Sequence, residues 1–540
     1  MQSFALIDYV VVVVYIAGIA WLGASFGKDQ DSTEDYFLGG RRVPWWAIGL
    51  SVMATQASAI TFIGAPGWGY EGGLTRTAMF LNIPLVMAFL IVTLVPFFYR
   101  AEVYTAYEYL ERRFDTKTRT LTALLFLVSR GLATGVVLYA PALVLSVVTG
   151  LPINLTITLM AIIAIAYTVL GGISAVIWTD VVQMLILWFG AAISIWAIMN
   201  GLPEDTSVLD VASENGLLQT LDFSFDLTET YGVWAGVIGG FFLHAAYFGC
   251  DQSQIQRVLT SSSTRNSSLS LMVSGFLMFP QILLFLGIGV LLFVFYNVRG
   301  EPPQLDNLNE LFPRFIVNEL PAGISGLIIA GVFAAAMSSL DSGLNSLSAV
   351  TIRDFYARFF KPDASEAHYL SASRWATVFW GVYATIFAYF AGNLGPVIEV
   401  INKIGSYFYG ALLGVFFLAI FSRRATGTGA FVGVLAGMIS VYVLTSSTEV
   451  AWLWNNLVGA TVSTGVGYAV STATKRPAEE QLRGLTMAYT DTSVQQELAG
   501  LSDEATSVSA GGGEKGTTWP YWLIGYFVLT ILILFYIQGL

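Results

Sequence analysis

Ala335, Ser338, Ser339 and Ser342 fall at i, i+3, i+4 and i+7, which is one face of a helix. Asp341 and Asn345 flank that face. Hydroxyls, backbone carbonyls and one carboxylate are hard oxygen ligands, and they suit a hard cation such as Na⁺. The chain has one cysteine, Cys250, and two histidines, His244 and His368, so no thiolate or imidazole cluster is expected for a transition metal. A second acid stands in Trp178-Thr179-Asp180. It either joins the same ion chemistry or reaches back to a water layer from within an apolar segment. Arg130, in Val128-Ser129-Arg130-Gly131, offers the planar fork that suits a carboxylate, or else pairs with a neighbouring helix. His244 either donates to an anionic solute or is a satisfied packing histidine. Asn402 and Lys403 adjoin one another in an apolar run, where Lys403 is either a gating residue or a counter-ion. No nucleophile–base pair or cofactor motif is present, so an enzyme is not expected.

The elements that carry these residues are set by composition. Of 540 residues, 55% are hydrophobic and 11% charged, against roughly 25% charged in soluble chains. A soluble multidomain protein is excluded. The net charge of −11 and the lack of a basic patch exclude a nucleic-acid partner. A helix spanning a bilayer needs about 20 mostly apolar residues. Fourteen stretches are candidates: 4–26, 45–70, 77–99, 120–148, 153–170, 172–200, 231–256, 267–296, 322–352, 375–393, 396–422, 429–446, 449–473 and 520–539. The first is too long and too poor in basic residues for a signal peptide, and Asp8 sits where lysines would be expected. No barrel-like alternation occurs.

Of the 25 Lys and Arg residues, 20 lie in alternate loops, 3 in the opposite loops and 2 (Arg130 and Lys403) inside apolar segments. This asymmetry places both termini outside. Loop 201–230, with seven acids and no Lys or Arg, is then external. Loop 474–519, with Gly511–Gly513 and many Ser and Thr, reads as a flexible internal linker. Three stretches carry polar or small residues at mid-length: Ala54 to Gly67, Ser338 to Ser348, and Asn402 to Ser406. Broken helices of that kind expose carbonyls and helix ends to a substrate or cation, whereas small residues alone also serve close helix packing.

In these residues and in several motifs, the chain resembles the sodium:solute symporter family over about residues 5–475. The motifs are Ser32-Thr33-Glu34-Asp35-Tyr36-Phe37-Leu38, Pro44-Trp45-Trp46, Gly171-Gly172-Ile173-Ser174-Ala175-Val176-Ile177-Trp178-Thr179-Asp180, Ile255-Gln256-Arg257 and Ala335-Ala336-Met337-Ser338-Ser339. Tyr139-Ala140-Pro141-Ala142-Leu143 and Gln56-Ala57-Ser58 are most similar to the iodide, multivitamin and monocarboxylate branch.

The resemblance implies an all-α membrane protein of about 14 transmembrane helices with a five-plus-five inverted-repeat, LeuT-like core. Its divisions would be 1–44 (extra helix and loop), 45–422 (transport core), 423–473 (two accessory helices), 474–519 (linker) and 520–540 (last helix). The family's common sodium site would map onto Ala54, Ala57, Ala335, Ser338 and Ser339. A second sodium site, known in the sialic acid branch, would map onto Asp180, Ser338, Asp341 and Ser342. Asp341 stands where that branch has serine. It would strengthen cation binding unless it is protonated or paired with a positive residue such as Lys403.

For the solute there remain Gln56, Thr61, His244, Tyr247, Phe248 and Asn402, of which Tyr247 and Phe248 match the family's aromatic inner gate, and Arg130, one turn from the place near Ala133 or Thr134 where the sialic acid branch has a carboxylate-binding arginine on the same helix. The galactose pattern is lost: Thr61, Phe80, Ile83, His244 and, roughly, Phe276 stand at its polar positions. The expected function is sodium-coupled import of a small organic solute, an anion of monocarboxylate type, by alternating access with two sodium ions. A sugar or polyol symporter is the alternative, and a membrane sensor or channel a remote one. The expected setting is the inner (plasma) membrane, among lipid, with the chain working as a monomer.

Overall fold

The computed structural model describes residues 4–26, 32–56, 59–100, 103–300, 303, 305, 307–395, 397–487 and 518–540. Ala57, Ser58 and most of the 474–519 linker lie outside them. The regular secondary structure of the described residues is helical, with no strand. This follows from the apolar runs: in hydrocarbon every backbone N–H and C=O must be satisfied internally, and a helix does so within one segment.

Each of the fourteen stretches has helical counterparts. We label α1 (Leu6–Phe26), α2 (Trp45–Gln56), α3 (Ala59–Gly72), α4 (Thr116–Thr149), α5 (Ile153–Asn200), α6 (Gly240–Cys250), α7 (Gln252–Leu259), α8 (Thr264–Arg299), α9 (Ile324–Val350), α10 (Glu366–Ala391), α11 (Val397–Ser406), α12 (Tyr409–Phe421), α13 (Gly427–Ser447), α14 (Trp454–Thr472) and α15 (Trp519–Gln538). By length and apolarity alone, seven helical stretches among the described residues suffice to cross a membrane, or eight if α11 and α12 are one span bent by 44°. The other candidate stretches are shorter, more polar or broken.

The breaks have local causes. Stretch 45–70 divides into α2 and α3, and the Thr61 hydroxyl donates to the Gln56 carbonyl (2.7 Å) at the end of α2. The expected pair 153–170 and 172–200 is present as two helical segments of α5 that meet at a kink at Gly172, with φ 57° and ψ −172°. A side chain there would be strained, so glycine makes the kink. Stretch 231–256 breaks at Asp251, whose carboxylate caps α7 by accepting from the Ser253 N–H (2.9 Å).

α8 lies along α2 and α3, while α9 lies along α4, α5 and α1 and touches α2, α3 and α7. Close approach of α3 and α8 depends on glycine. A Cβ on Gly69 would stand 2.3 Å from the Leu286 carbonyl oxygen, and one on Gly289 2.2 Å from that of Pro66. Small residues of this kind are how helices pack tightly when lipid removes the hydrophobic drive. α1 is fastened to α9 by Asp8. Its Oδ1 accepts the N–H groups of Gly323 (2.6 Å) and Gly326 (2.8 Å), so a carboxylate of one helix caps the N-terminus of another.

Candidate functional site

The broken ends meet around a small cavity lined from α2, α3, α4, α6, α11 and α12. Of the residues expected at the solute, Gln56, Thr61, Arg130, His244, Tyr247 and Asn402 line it; Phe80, Thr55 and Tyr409 also line it. Phe248 does not. It stacks behind, with its ring 4.9 Å from Tyr247 and 6.1 Å from His244.

Arg130 is the one charged side chain lining the cavity among the described residues. Its guanidinium is anchored on one side. Nη2 donates to Ser253 Oγ, Nη1 stands 3.7 Å from Asp251 Oδ2, and the group lies 5.9 Å over the Tyr247 ring. Ser253 Oγ donates in turn to Asp251 Oδ1 (2.6 Å), and the Tyr409 hydroxyl donates to Asp251 Oδ2 (3.0 Å). Asp251 thus ties α4, α7 and α12 at the cavity wall. Arg130 Nε is buried without a hydrogen-bond partner among the described residues. His244 is 1% exposed; its Nδ1 is 2.8 Å from Asn82 Oδ1, and its Nε2 has no partner among the described residues. Asn402 Nδ2 donates to the Ile398 carbonyl (2.7 Å), so its amide oxygen remains for the cavity.

The ion-site residues lie deeper. Ala54 is near the C-terminal end of α2, where backbone carbonyls run out of helical donors. Ala335 and Ser339 are on α9, which packs against α2, and Ser339 Oγ donates to the Ala335 carbonyl (3.2 Å). Ala57 and the Ser338 side chain fall outside the described residues.

Asp180 is fully buried, not reaching for a water layer. Its Oδ2 accepts from Ser51 Oγ of α2 and, at 3.2 Å, from Arg257 Nη2. Arg257 also donates Nε to Ser51 Oγ (2.7 Å), Nη1 to the Ser253 carbonyl (2.5 Å) and Nη2 to Ser342 Oγ. One guanidinium therefore knots α2, α5, α7 and α9. The sequence count placed Arg257 with the loop cations, and the structure corrects this: the side chain has no exposed surface. Its charge is held inside because Asp180 compensates it.

Asp341 has a different partner, Thr168 of α5, whose Oγ1 donates to Oδ1. Lys403 pairs with Glu399 one turn away (3.1 Å), within its own helix. Asp180 Oδ1 and Asp341 Oδ2 are both buried without a hydrogen-bond partner among the described residues. Orphaned carboxylate oxygens in an apolar core are fit places for a cation.

This geometry has known counterparts. The sodium:solute symporter family model matches residues 36–437. The chain belongs to the sodium:solute symporter family. A sodium/sialic acid symporter of Proteus mirabilis is 31% identical over 473 residues, covering 85% of this chain and 94% of that protein. The sodium-dependent multivitamin transporter of Oryctolagus cuniculus is 33% identical, covering 82% of this chain and 70% of that protein. The solved structure of a Na⁺-coupled sialic acid symporter in a substrate-bound outward-open state, reported to reveal a novel Na⁺ site, superposes with a TM-score of 0.81 at 30% identity. It covers 89% of this chain and 100% of that one. A nucleobase-cation-symport-1 family transporter shares the fold alone, at 13% identity and a TM-score of 0.52.

The family members are transporters, not enzymes, and the fold is the LeuT-like membrane architecture. The chain is a sodium-coupled symporter that moves a small-molecule solute with Na⁺.

The sequence motifs did not single out Asn82, Ser51, Asp251 or Tyr409. Each works through a partner far along the chain, so no local spacing marks it.

Proposed function

We propose that the solute is a small organic anion of monocarboxylate type, imported with two sodium ions by alternating access across the inner (plasma) membrane. One observation carries the anion reading: among the described residues, the single charged side chain lining the cavity is Arg130, with its Nε unpartnered. A bidentate carboxylate suits such a fork. Sialic acid, the solute named for two of the relatives, is itself a carboxylic acid. A sugar or polyol is the second reading, favoured by the Asp251 carboxylate that already compensates Arg130.

The first sodium is held by the carbonyls of Ala54, Ala57 and Ala335 with the hydroxyls of Ser338 and Ser339. The second is held by Asp180, Ser338, Asp341 and Ser342. The orphaned oxygens of the two acids support this second site. Arg257 spans Asp180 and Ser342, so Na⁺ enters there by displacing a built-in cation. The transport core runs from 45 to 422, the accessory helices from 423 to 473, and both termini face outward, in keeping with the Lys and Arg asymmetry.

The deciding experiment is uptake into liposomes holding the purified protein, with and without an inward sodium gradient, against monocarboxylates, sugars and polyols. Competition by monocarboxylates, lost in Arg130→Gln, is the expected result. Competition by neutral sugars with full affinity retained in Arg130→Gln overturns the anion reading.

A further inference from the structure

We infer that His244 offers a hydrogen-bond acceptor to the cavity, so the solute must carry an O–H or N–H donor as well as its charge. The inference deepens the anion reading above and rests on it: the site takes a hydroxylated or N–H-bearing acid in preference to its plain deoxy counterpart.

Asn82 is fully buried. Its Nδ2 donates to two backbone carbonyls, Met79 (2.7 Å) and Gly236 (2.9 Å). An amide flipped the other way would set its oxygen against both, so the orientation is fixed by its neighbours. The Oδ1 atom is then an acceptor, and it stands 2.8 Å from His244 Nδ1. Two acceptors cannot share that contact, so Nδ1 carries the hydrogen. A neutral imidazole has one N–H and one lone pair. The proton being on Nδ1, the lone pair is on Nε2. That atom is buried and unpartnered among the described residues, on a side chain lining the cavity. Its neighbours favour this orientation of the ring. Phe80 and Phe248 stand at 5.6 Å and 6.1 Å from the imidazole, and Asn82 holds the far nitrogen.

A buried acceptor left empty by the solute costs free energy that a donor on the solute recovers. The same holds for any buried polar group that loses its partner. The cavity thus reads two features at once: an anionic group at Arg130 and a donor at His244.

The first arm of the test is direct. The chain has two histidines, and His368 pairs away from the cavity with the Tyr356 hydroxyl. Nitrogen-15 histidine spectra of the His368→Asn protein in nanodiscs therefore report His244 alone. A protonated Nδ1 with a bare Nε2 is expected, and a protonated Nε2 with a bare Nδ1 overturns the inference. The second arm measures competition for sodium-dependent uptake by two matched pairs, lactate against propionate and 3-hydroxybutyrate against butyrate. In one or both pairs the hydroxylated member should compete about tenfold better, and the preference should vanish in His244→Phe. Equal competition within both pairs sinks the donor requirement while leaving the anion reading intact. If neither pair competes but neutral polyols do, the anion reading falls, and the spectrum alone decides the acceptor.

Discussion

Replacing Arg257 by glutamine removes the guanidinium that holds Ser51 (2.7 Å), Asp180 (3.2 Å), the Ser253 carbonyl (2.5 Å) and Ser342. Asp180 is then a fully buried carboxylate with a neutral amide beside it. Breaking a buried pair on one side costs about 3–5 kcal/mol. If Asp180 also ligates sodium, Na⁺ replaces the missing cation. At a hundred times its dissociation constant an ion stabilises the protein by about 2.7 kcal/mol. Sodium should therefore return roughly half to nine-tenths of what the substitution removes.

The assay is thermal unfolding of the purified protein by tryptophan fluorescence, at one scan rate, in NaCl and in choline chloride of equal ionic strength. Arg257→Gln should melt well below the unmodified protein in choline, and NaCl should raise its Tm more than it raises the parent's. Adding Asp180→Asn removes the stranded charge, so the double variant should recover stability in choline and lose the extra sodium response. If Arg257→Gln melts with the parent, or gains no more from sodium than the double variant, then Asp180 and Arg257 are not coupled to the ion.

Ser338→Ala and Ser339→Ala should each raise the sodium concentration needed for half-maximal uptake, by the equivalent of about 1–3 kcal/mol, with folding retained; unchanged sodium dependence removes them from the first site. Arg130→Lys should weaken solute competition more than it lowers Tm, because a point charge replaces neither the fork nor the bond to Ser253. Equal losses in binding and stability would mark a purely structural arginine. Outside the spanning helices, burial pushes the Glu111 carboxyl up, but hydrogen bonds from Thr116, Arg119 and Arg358 outweigh it and hold the group below its ordinary value. A depressed carboxyl contributes stability that is present above its unfolded pKa, about 4.3, and is lost as pH falls through the folded one. Tm measured from pH 7 downward should thus be insensitive to this group until below about pH 4.3, and Glu111→Gln should shallow the acid limb; an identical limb refutes the contribution.

The apolar runs were legible because hydrocarbon imposes a length and a composition on every spanning helix. The polar interruptions at Gln56, Asn402 and the serine run of α9 were legible for the converse reason: such residues are costly there unless used. What escaped was partnership. Arg257 read as one more loop cation, since nothing near it in sequence announces Asp180, 77 residues earlier. Asp180 and Asp341 read as acids for one ion, but the bonds of Asp180 to Ser51 and Arg257 and of Asp341 to Thr168 could not be read from spacing. The His244 tautomer depends on Asn82, 162 positions away, and no periodicity encodes that. A boundary between two helices was read at Gly171-Gly172, but spacing alone did not say which glycine makes the turn; the φ of 57° assigns it to Gly172.

Asp8 gives α1 a use beyond anchorage. Because its carboxylate grips the first amides of α9, the two helices form one lever arm, and α1 must travel with the helix that carries the serine face. The outer side of that arm is accessible: Trp21 of α1 is 73% exposed. A spin label at position 21, paired with one on α13, would act as a pointer for the hidden motion of α9 without touching any residue of the ion or solute sites. In Asp8→Asn, with the grip weakened, the pointer should come loose from the transport cycle before transport itself fails.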